Sequence, residues 1–330
     1  MIRTILTIFC LTFILTGVFA QNIEQKEQDI KIVFNDSAAR YVLENPVNAL
    51  KERDYIWNTF EGYRITLVWH EKSSYPVTWG VWEKGLNRFI NNDTSLIRKS
   101  LELSNNLSTL EKREHANIEH HLSSYLPKTA AFNAYVYFVA FTIPYAFVVE
   151  QNKIGIDITG NEWHFNPECL LNTVIHELCH VGYKLNSPDK EYINADPTNS
   201  EEFIRFNYAY MLSEGMATYV AFKALDLFPS SYKHEDYKLM EDEKNVKDAI
   251  NGINNLLEMS KTEAIDTLLK QTWDIGVTKR AYYIAGAYVC KTIEEKFGAE
   301  YLSELVSKGG RQFIKEYNVL VPDEYKLTLI

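Results

Sequence analysis

His176, Glu177 and His180, in the run Thr173-Val-Ile-His-Glu-Leu-Cys-His-Val181, place two imidazoles and a carboxylate within two turns of a helix. Residues four apart on an α-helix differ by about 40° around the axis and by one turn along it, so both imidazoles can grip one metal ion. Glu177 points roughly 60° to 100° away from them, which puts a carboxylate beside the ion without making it a ligand. A carboxylate so placed can take a proton from a water that the metal polarises. Cys179 points about 100° from His180 and reads as a small buried hydrophobe, the usual behaviour of a free cysteine.

The surrounding residues supply the helix that this spacing needs. Asn166-Pro167-Glu168 offers an N-cap, a proline at the first helical position and an early acid. Leu170, Leu171, Val174, Ile175 and Leu178 recur at helical spacing, and Gly182 is the expected stop. A catalytic metal site takes three protein ligands and keeps one position open, so a third ligand is required. The best candidate is Glu214, 34 residues past His180, in the run Met211-Leu-Ser-Glu214-Gly-Met-Ala217-Thr-Tyr-Val-Ala-Phe222. Its neighbours Met211, Leu212, Met216, Tyr219 and Val220 are apolar, and an unpaired glutamate is seldom buried among such residues.

His-Glu-x-x-His followed by Glu-x-x-Ala on a second helix resembles the gluzincin metallopeptidases, of which thermolysin is the familiar example. The spacing is also similar to that of an uncharacterised bacterial family of secreted zinc-dependent peptidases. The resemblance rests on residues 166 to 183, 211 to 222 and 281 to 298. It implies that Glu214 completes the shell of one zinc ion with His176 and His180, and that Glu177 is the general base. In several branches of that family a Tyr-x-x-Gly helix supplies a phenol for the oxyanion. Tyr283-Ile-Ala-Gly286 matches that pattern, with Tyr282 and Tyr288 as neighbouring competitors. The implied fold is α+β and mostly helical, a gluzincin-like core with a small antiparallel sheet beside the His-Glu-x-x-His helix. The implied reaction is hydrolysis of a peptide bond in a peptide or protein substrate. No Gly-x-Met-Glu-Asn stretch of the aminopeptidase branch is present, so endo- or oligopeptidase action is the expectation. A zinc-dependent hydrolase of a non-peptide amide, and a non-catalytic binding protein on a peptidase scaffold, stay open as alternatives.

Ahead of the first motif helix, residues 134 to 141 form an apolar and aromatic run, Pro144 interrupts it, and 146 to 149 resume before a polar turn at 151 to 153. Ile154, Ile156 and Ile158 then alternate with Gly155, Asp157 and Thr159, the pattern of a half-exposed strand. By the same resemblance an extended peptide would add to that strand's edge. Residues 184 to 199 read as a long loop, with Thr198 and Glu201 as a capping box for the next helix. Residues 96 to 126 suggest two long helices broken near Asn105. The histidines there, His115, His120 and His121, read as an exposed helical face. The aromatics Trp69, Tyr75, Trp79 and Trp82 read as core packing.

Residues 1–20 carry a short basic start, an apolar stretch and the small residue Ala20, the features of a secretory signal cleaved before Gln21. The expected organisation is a signal peptide at 1–20, a mostly helical region at 21–130 and a catalytic region at 131–330, which can form one domain. The expected location is the periplasm or the exterior, without membrane insertion once the signal is removed. The whole chain has a formal net charge of −10, and loss of the signal removes only Arg3 and brings it to −11. An acidic surface argues against nucleic acid as a partner. Cys169 and Cys179, ten residues apart on one helix, are about 15 Å from each other, so a disulfide could form only with Cys290.

Overall fold

Where a strand is buried on one face only, its side chains alternate; where helices cover both faces, the alternation disappears. The second case applies here. The computed structural model describes residues 29–73, 79–92, 94–142, 146–159, 166–193, 195–229 and 235–330. Strand β1 (Asp29–Asn35) is followed by helices α1 (Ser37–Glu44), α2 (Pro46–Lys51), α3 (Arg53–Thr59), α4 (Glu61–Ser73), α5 (Trp79–Asn92) and α6 (Thr94–Tyr125). Strands β2 (Ala131–Val139), β3 (Ala146–Val149) and β4 (Lys153–Asp157) come next. The helices that follow are α7 (Pro167–Asn186), α8 (Lys190–Ile193), α9 (Ser200–Lys223), α10 (Glu235–Leu239), α11 (Glu243–Met259), α12 (Ile265–Thr272), α13 (Ala281–Phe297), α14 (Ala299–Val306) and α15 (Gly310–Asn318). The fold is thus α+β and mostly helical, as expected. The proposed signal segment, Tyr75 and Pro144 lie outside the described residues.

The sheet differs from the expected antiparallel one. Its order is β1-β2-β4-β3; β1 and β4 both run parallel to β2, and only β3 is antiparallel, to β4. The β3–β4 hairpin therefore inserts β4 between β2 and β3. Strand β4 is central and not half-exposed: Ile154 and Ile156 are buried, but so are Gly155 and Asp157. The reason is α4, which covers the second face; its Ile65, Val68 and Trp69 pack with Phe147, Val149 and Tyr137. Gly155 lies directly under the Phe147 ring, where a Cβ would come within 2.2 Å of ring carbon. The edge strands are β1 and β3, and α7 packs beside β3.

Other expectations also need correction. Helix α6 is continuous over residues 94–125, not two helices. It contains no proline or glycine, and Asn106 satisfies its side chain on the Glu102 carbonyl (2.9 Å) without breaking the helix. His121 is buried, not exposed, with Nε2 2.8 Å from the Val220 carbonyl oxygen, to which it donates. Gly182 does not end α7, which runs on to Asn186. A Cβ there would sit 2.4 Å from Leu126, so this glycine serves a close approach to the end of α6. The stretch expected as a long loop is shortened by that extension and by α8. The cap of α9 is one residue later than expected: Asn199 accepts from the Glu202 N–H at 3.0 Å, and Glu202 accepts in return from Thr198 N and Oγ1. Trp82 is buried and Trp79 packs edge-on against Trp57, consistent with core packing. One continuous set of buried side chains runs from Ile30 to Leu327. Cys169, Cys179 and Cys290 are all buried, and none is in a disulfide among the described residues.

A buried carboxylate ties the ends of β2 and β4 together. Asp157 accepts from the backbone N–H and hydroxyl of both Thr142 and Thr159, and Thr159 Oγ1 in turn accepts from Phe141 N, a residue in the left-handed region at φ 61°. Burial pushes this carboxyl up to about 6, although those four bonds pull it down. The folded chain therefore binds the proton more tightly than the unfolded chain, whose aspartates titrate at about 4. The contribution of Asp157 to stability is thus largest below about pH 4 and declines as the pH rises through 6. Asp157→Asn must turn an NH2 group against a backbone N–H, at an expected cost of about 2 kcal/mol at pH 4. That deficit relative to wild type should shrink between pH 4 and 6, which urea unfolding across the range would measure.

Candidate metal centre

Helix α7 begins as its sequence dictates. The Asn166 side chain accepts from the N–H groups of Glu168 (2.9 Å) and Cys169 (3.1 Å), Pro167 occupies the first turn, and Leu170, Leu171, Val174, Ile175 and Leu178 are buried. His176 and His180 then project from adjacent turns, their rings 4.8 Å apart and nearly perpendicular. Helix α9 packs against α7 and presents Glu214 to both imidazoles.

The three donor atoms form a small triangle. His176 Nε2 and His180 Nε2 are 3.2 Å apart, and Glu214 Oε2 lies 3.6 Å and 3.3 Å from them. A tetrahedral zinc with bonds of about 2.0–2.2 Å holds its donors about 3.3–3.6 Å apart, so this triangle has the dimensions of one face of such a site. Glu214 Oε2 is buried and accepts no hydrogen bond. An ionised carboxylate oxygen in that state is costly unless a cation supplies what a donor does not. Burial pushes Glu214 up, but the imidazoles of His180 and His176 outweigh it and hold the carboxylate well below its usual range. Two imidazoles and a carboxylate suit zinc, and among the described residues they form the one cluster of this kind.

Two groups support or accompany the triangle. His180 Nδ1 lies 2.9 Å from Ser213 Oγ, so with Nε2 turned to a metal its Nδ1–H donates to that buried hydroxyl. Glu177 is 7 % exposed; burial pushes its carboxyl up to about 7, the His176 imidazole opposes that and the Glu214 carboxylate adds to it. A proton acceptor is most effective when it titrates near the working pH.

Helix α13 closes the arrangement. It crosses α9 with backbone against backbone: a Cβ on Gly215 would lie 2.2 Å from the Gly286 carbonyl carbon, and one on Gly286 2.3 Å from the Met211 carbonyl oxygen. Tyr283, one turn before Gly286, is thereby brought to the metal side, its ring parallel to His176 (12°, centroids 6.4 Å). The competitors face elsewhere. Tyr282 donates to Asn207 Oδ1 in the core, and Tyr288 packs on Tyr317 and Tyr325.

Residues 81–322 match the family model described as "Putative zinc dependent peptidase (DUF5700)". The chain belongs to this family. The match covers about three quarters of the sequence and includes every residue of the candidate centre. No curated protein and no solved structure matches the chain. Membership in the DUF5700 family and the geometry of His176, His180 and Glu214 agree on zinc as the metal.

Four neighbours of the centre went unnoticed in the sequence. Ser213 sits beside Glu214 as a polar residue in an otherwise apolar run, a usable signal. Tyr210, one turn before Glu214, lies within electrostatic reach of Glu214 and Glu177. Lys184 follows Glu177 by seven residues and shares its helix face; burial lowers its pKa, while Glu177 and Glu214 favour its charge. Arg280, ahead of α13, lies over the Tyr283 ring.

Three outcomes are expected. The purified chain should bind one zinc, and chelation should lower its melting temperature, because the ion links α7 to α9. Ser213→Ala should keep the fold and weaken zinc about 10- to 100-fold, measured by competition with a chromogenic chelator. Gly215→Ala should destabilise the protein by at least about 2 kcal/mol in denaturant unfolding, since neither backbone can yield cheaply.

Proposed function

We propose that this protein is a secreted zinc-dependent endo- or oligopeptidase with a single metal bound by His176, His180 and Glu214. The observation that supports this most is the donor triangle of zinc dimensions with the buried Glu177 carboxylate on the adjoining helix face. Zinc, when bound, polarises the scissile carbonyl and acidifies the attacking water. Glu177 takes the proton from that water and passes it to the leaving amine, a role suited to a carboxyl raised by burial. Tyr283, on the opposite wall, donates its phenolic proton as a hydrogen bond to the oxygen of the tetrahedral intermediate. The extended substrate adds along β3, the edge strand beside α7, instead of along β4 as the alternation of isoleucines suggested. Backbone pairing of that kind gives affinity with little demand on side-chain identity. The signal-like residues 1–20 are what supports secretion.

The test is mass-spectrometric profiling of a diverse peptide library incubated with residues 21–330 in zinc-loaded form. Internal cuts by the wild type are expected. Glu177→Gln should retain its zinc and lose turnover about 10^2- to 10^4-fold. Tyr283→Phe should lower kcat about 10^2-fold with KM little changed. A zinc-loaded wild type that cuts no peptide would overturn the peptidase reading and favour a non-peptide amide as substrate.

A further inference from the structure

Tyr283 has an unusual neighbour. The Arg280 guanidinium carbon lies 3.2 Å from the centroid of the phenol ring, a direct stacking contact. The same guanidinium is fixed on its other edge: Nε donates to Asp236 Oδ1 at 2.9 Å and Nη2 to Asp236 Oδ2, a bidentate pair with a carboxylate that is 3 % exposed. Asp236 belongs to α10, Arg280 precedes α13 and His176 belongs to α7. A chain of contacts, carboxylate to guanidinium to phenol to imidazole, thus runs from a separate helix to a metal ligand.

The backbone at Arg280 is hard to explain by stability alone. Arg280 occupies the left-handed region, φ 61° and ψ 20°, where glycine or asparagine would be at ease. It also stands as N-cap of α13, the end of a helix that favours negative charge and disfavours a cation. The chain reaches it through a π-helical turn at Trp273–Thr278, in which Gly276 admits the Tyr282 ring. Three local rules are therefore broken within a few residues of the guanidinium that lies over Tyr283.

We propose that Arg280, clamped by Asp236, is the positioning residue of this site: it holds the Tyr283 ring parallel to His176 and so sets the direction in which the phenol donates. The proposal rests on the role of Tyr283 given above. Lysine would not substitute, because it has neither the planar face for the ring nor the fork for Asp236.

The variants that test this are Arg280→Met and Asp236→Asn, each alone and combined with Tyr283→Phe. Crystal structures of the zinc-loaded single variants should show Tyr283 turned out of its parallel stack with His176. Their kcat should fall roughly 10- to 100-fold with KM nearly unchanged, the penalty expected for a misplaced catalytic group. In the Tyr283→Phe background the same substitutions should cost less than about 2-fold, because a residue that acts through Tyr283 has nothing left to position. Tyr283 still parallel to His176 in Arg280→Met, or losses that multiply in full in the double variants, would overturn the proposal. Should Arg280→Met fail to fold once Asp236 loses the guanidinium, Asp236→Asn, which nearly preserves volume, decides the matter alone. If the zinc-loaded wild type cleaves no peptide, the peptidase reading fails, and the ring orientation in the variant crystals still decides the positioning claim.

Discussion

The contact between Gly215 and Gly286 sets the distance between the helix that carries Glu214 and the helix that carries Tyr283. Helices usually pack with side chains between them, at interaxial distances of about 8–10 Å. Here α9 and α13 meet with main chain on main chain, because neither glycine has a Cβ to hold them apart. Glu214 is the residue next to one glycine, and Tyr283 is one turn before the other. Helix α9 packs with α7 as well as with α13, so it is the common reference for the imidazoles, the carboxylate and the phenol. A shift at this crossing would move Tyr283 relative to Glu214 directly.

Two glutamates within the same small volume are driven in opposite directions by their surroundings. Glu214 lies against two imidazoles and is held well below its usual range, whereas Glu177 is raised to about 7 by burial. Both are nearly inaccessible, so exposure does not separate them. What separates them is contact with the imidazoles: Glu214 lies 3.3 Å from His180 and 3.6 Å from His176, whereas Glu177 has only a longer-range attraction to His176. One environment thus favours the charged carboxylate and the other the protonated one, a divergence that surroundings alone can impose on identical side chains.

The parts legible in the sequence were those encoded locally. The α7 cap, its apolar stripe, the pair of imidazoles one turn apart and the burial of Glu214 all follow from residues within a few positions of one another. The sheet was misjudged because burial of β4 depends on α4, nearly a hundred residues earlier, which no alternation within 153–157 can report. Gly182 looked like a helix stop for the same reason: its partner, Leu126, is distant in sequence. His121 looked exposed among charged neighbours on α6, yet its acceptor is the Val220 carbonyl oxygen on α9. Arg280 did leave a trace, a cation at the start of an apolar helix where an acid or a neutral cap is the rule. Its purpose became apparent only when the fold brought Asp236 and Tyr283 to either side of it.

The pairing of β1 with β2 has a consequence for how the molecule is made. Asp29 lies opposite Ala131, so the first described strand finds its neighbour about a hundred residues later. At roughly 5–20 residues per second of synthesis, that is an interval of several seconds. During it the backbone of β1 has no strand to bond and Ile30 and Ile32, buried in the finished protein, lack their cover. The β3–β4 hairpin, by contrast, can close at once and dock afterwards through β4. Parallel pairing across so long a gap is slow because loop closure precedes any reward. A chain kept unfolded until all of it is present loses nothing by this order of events, whereas one folding as it emerges carries an unpaired strand throughout.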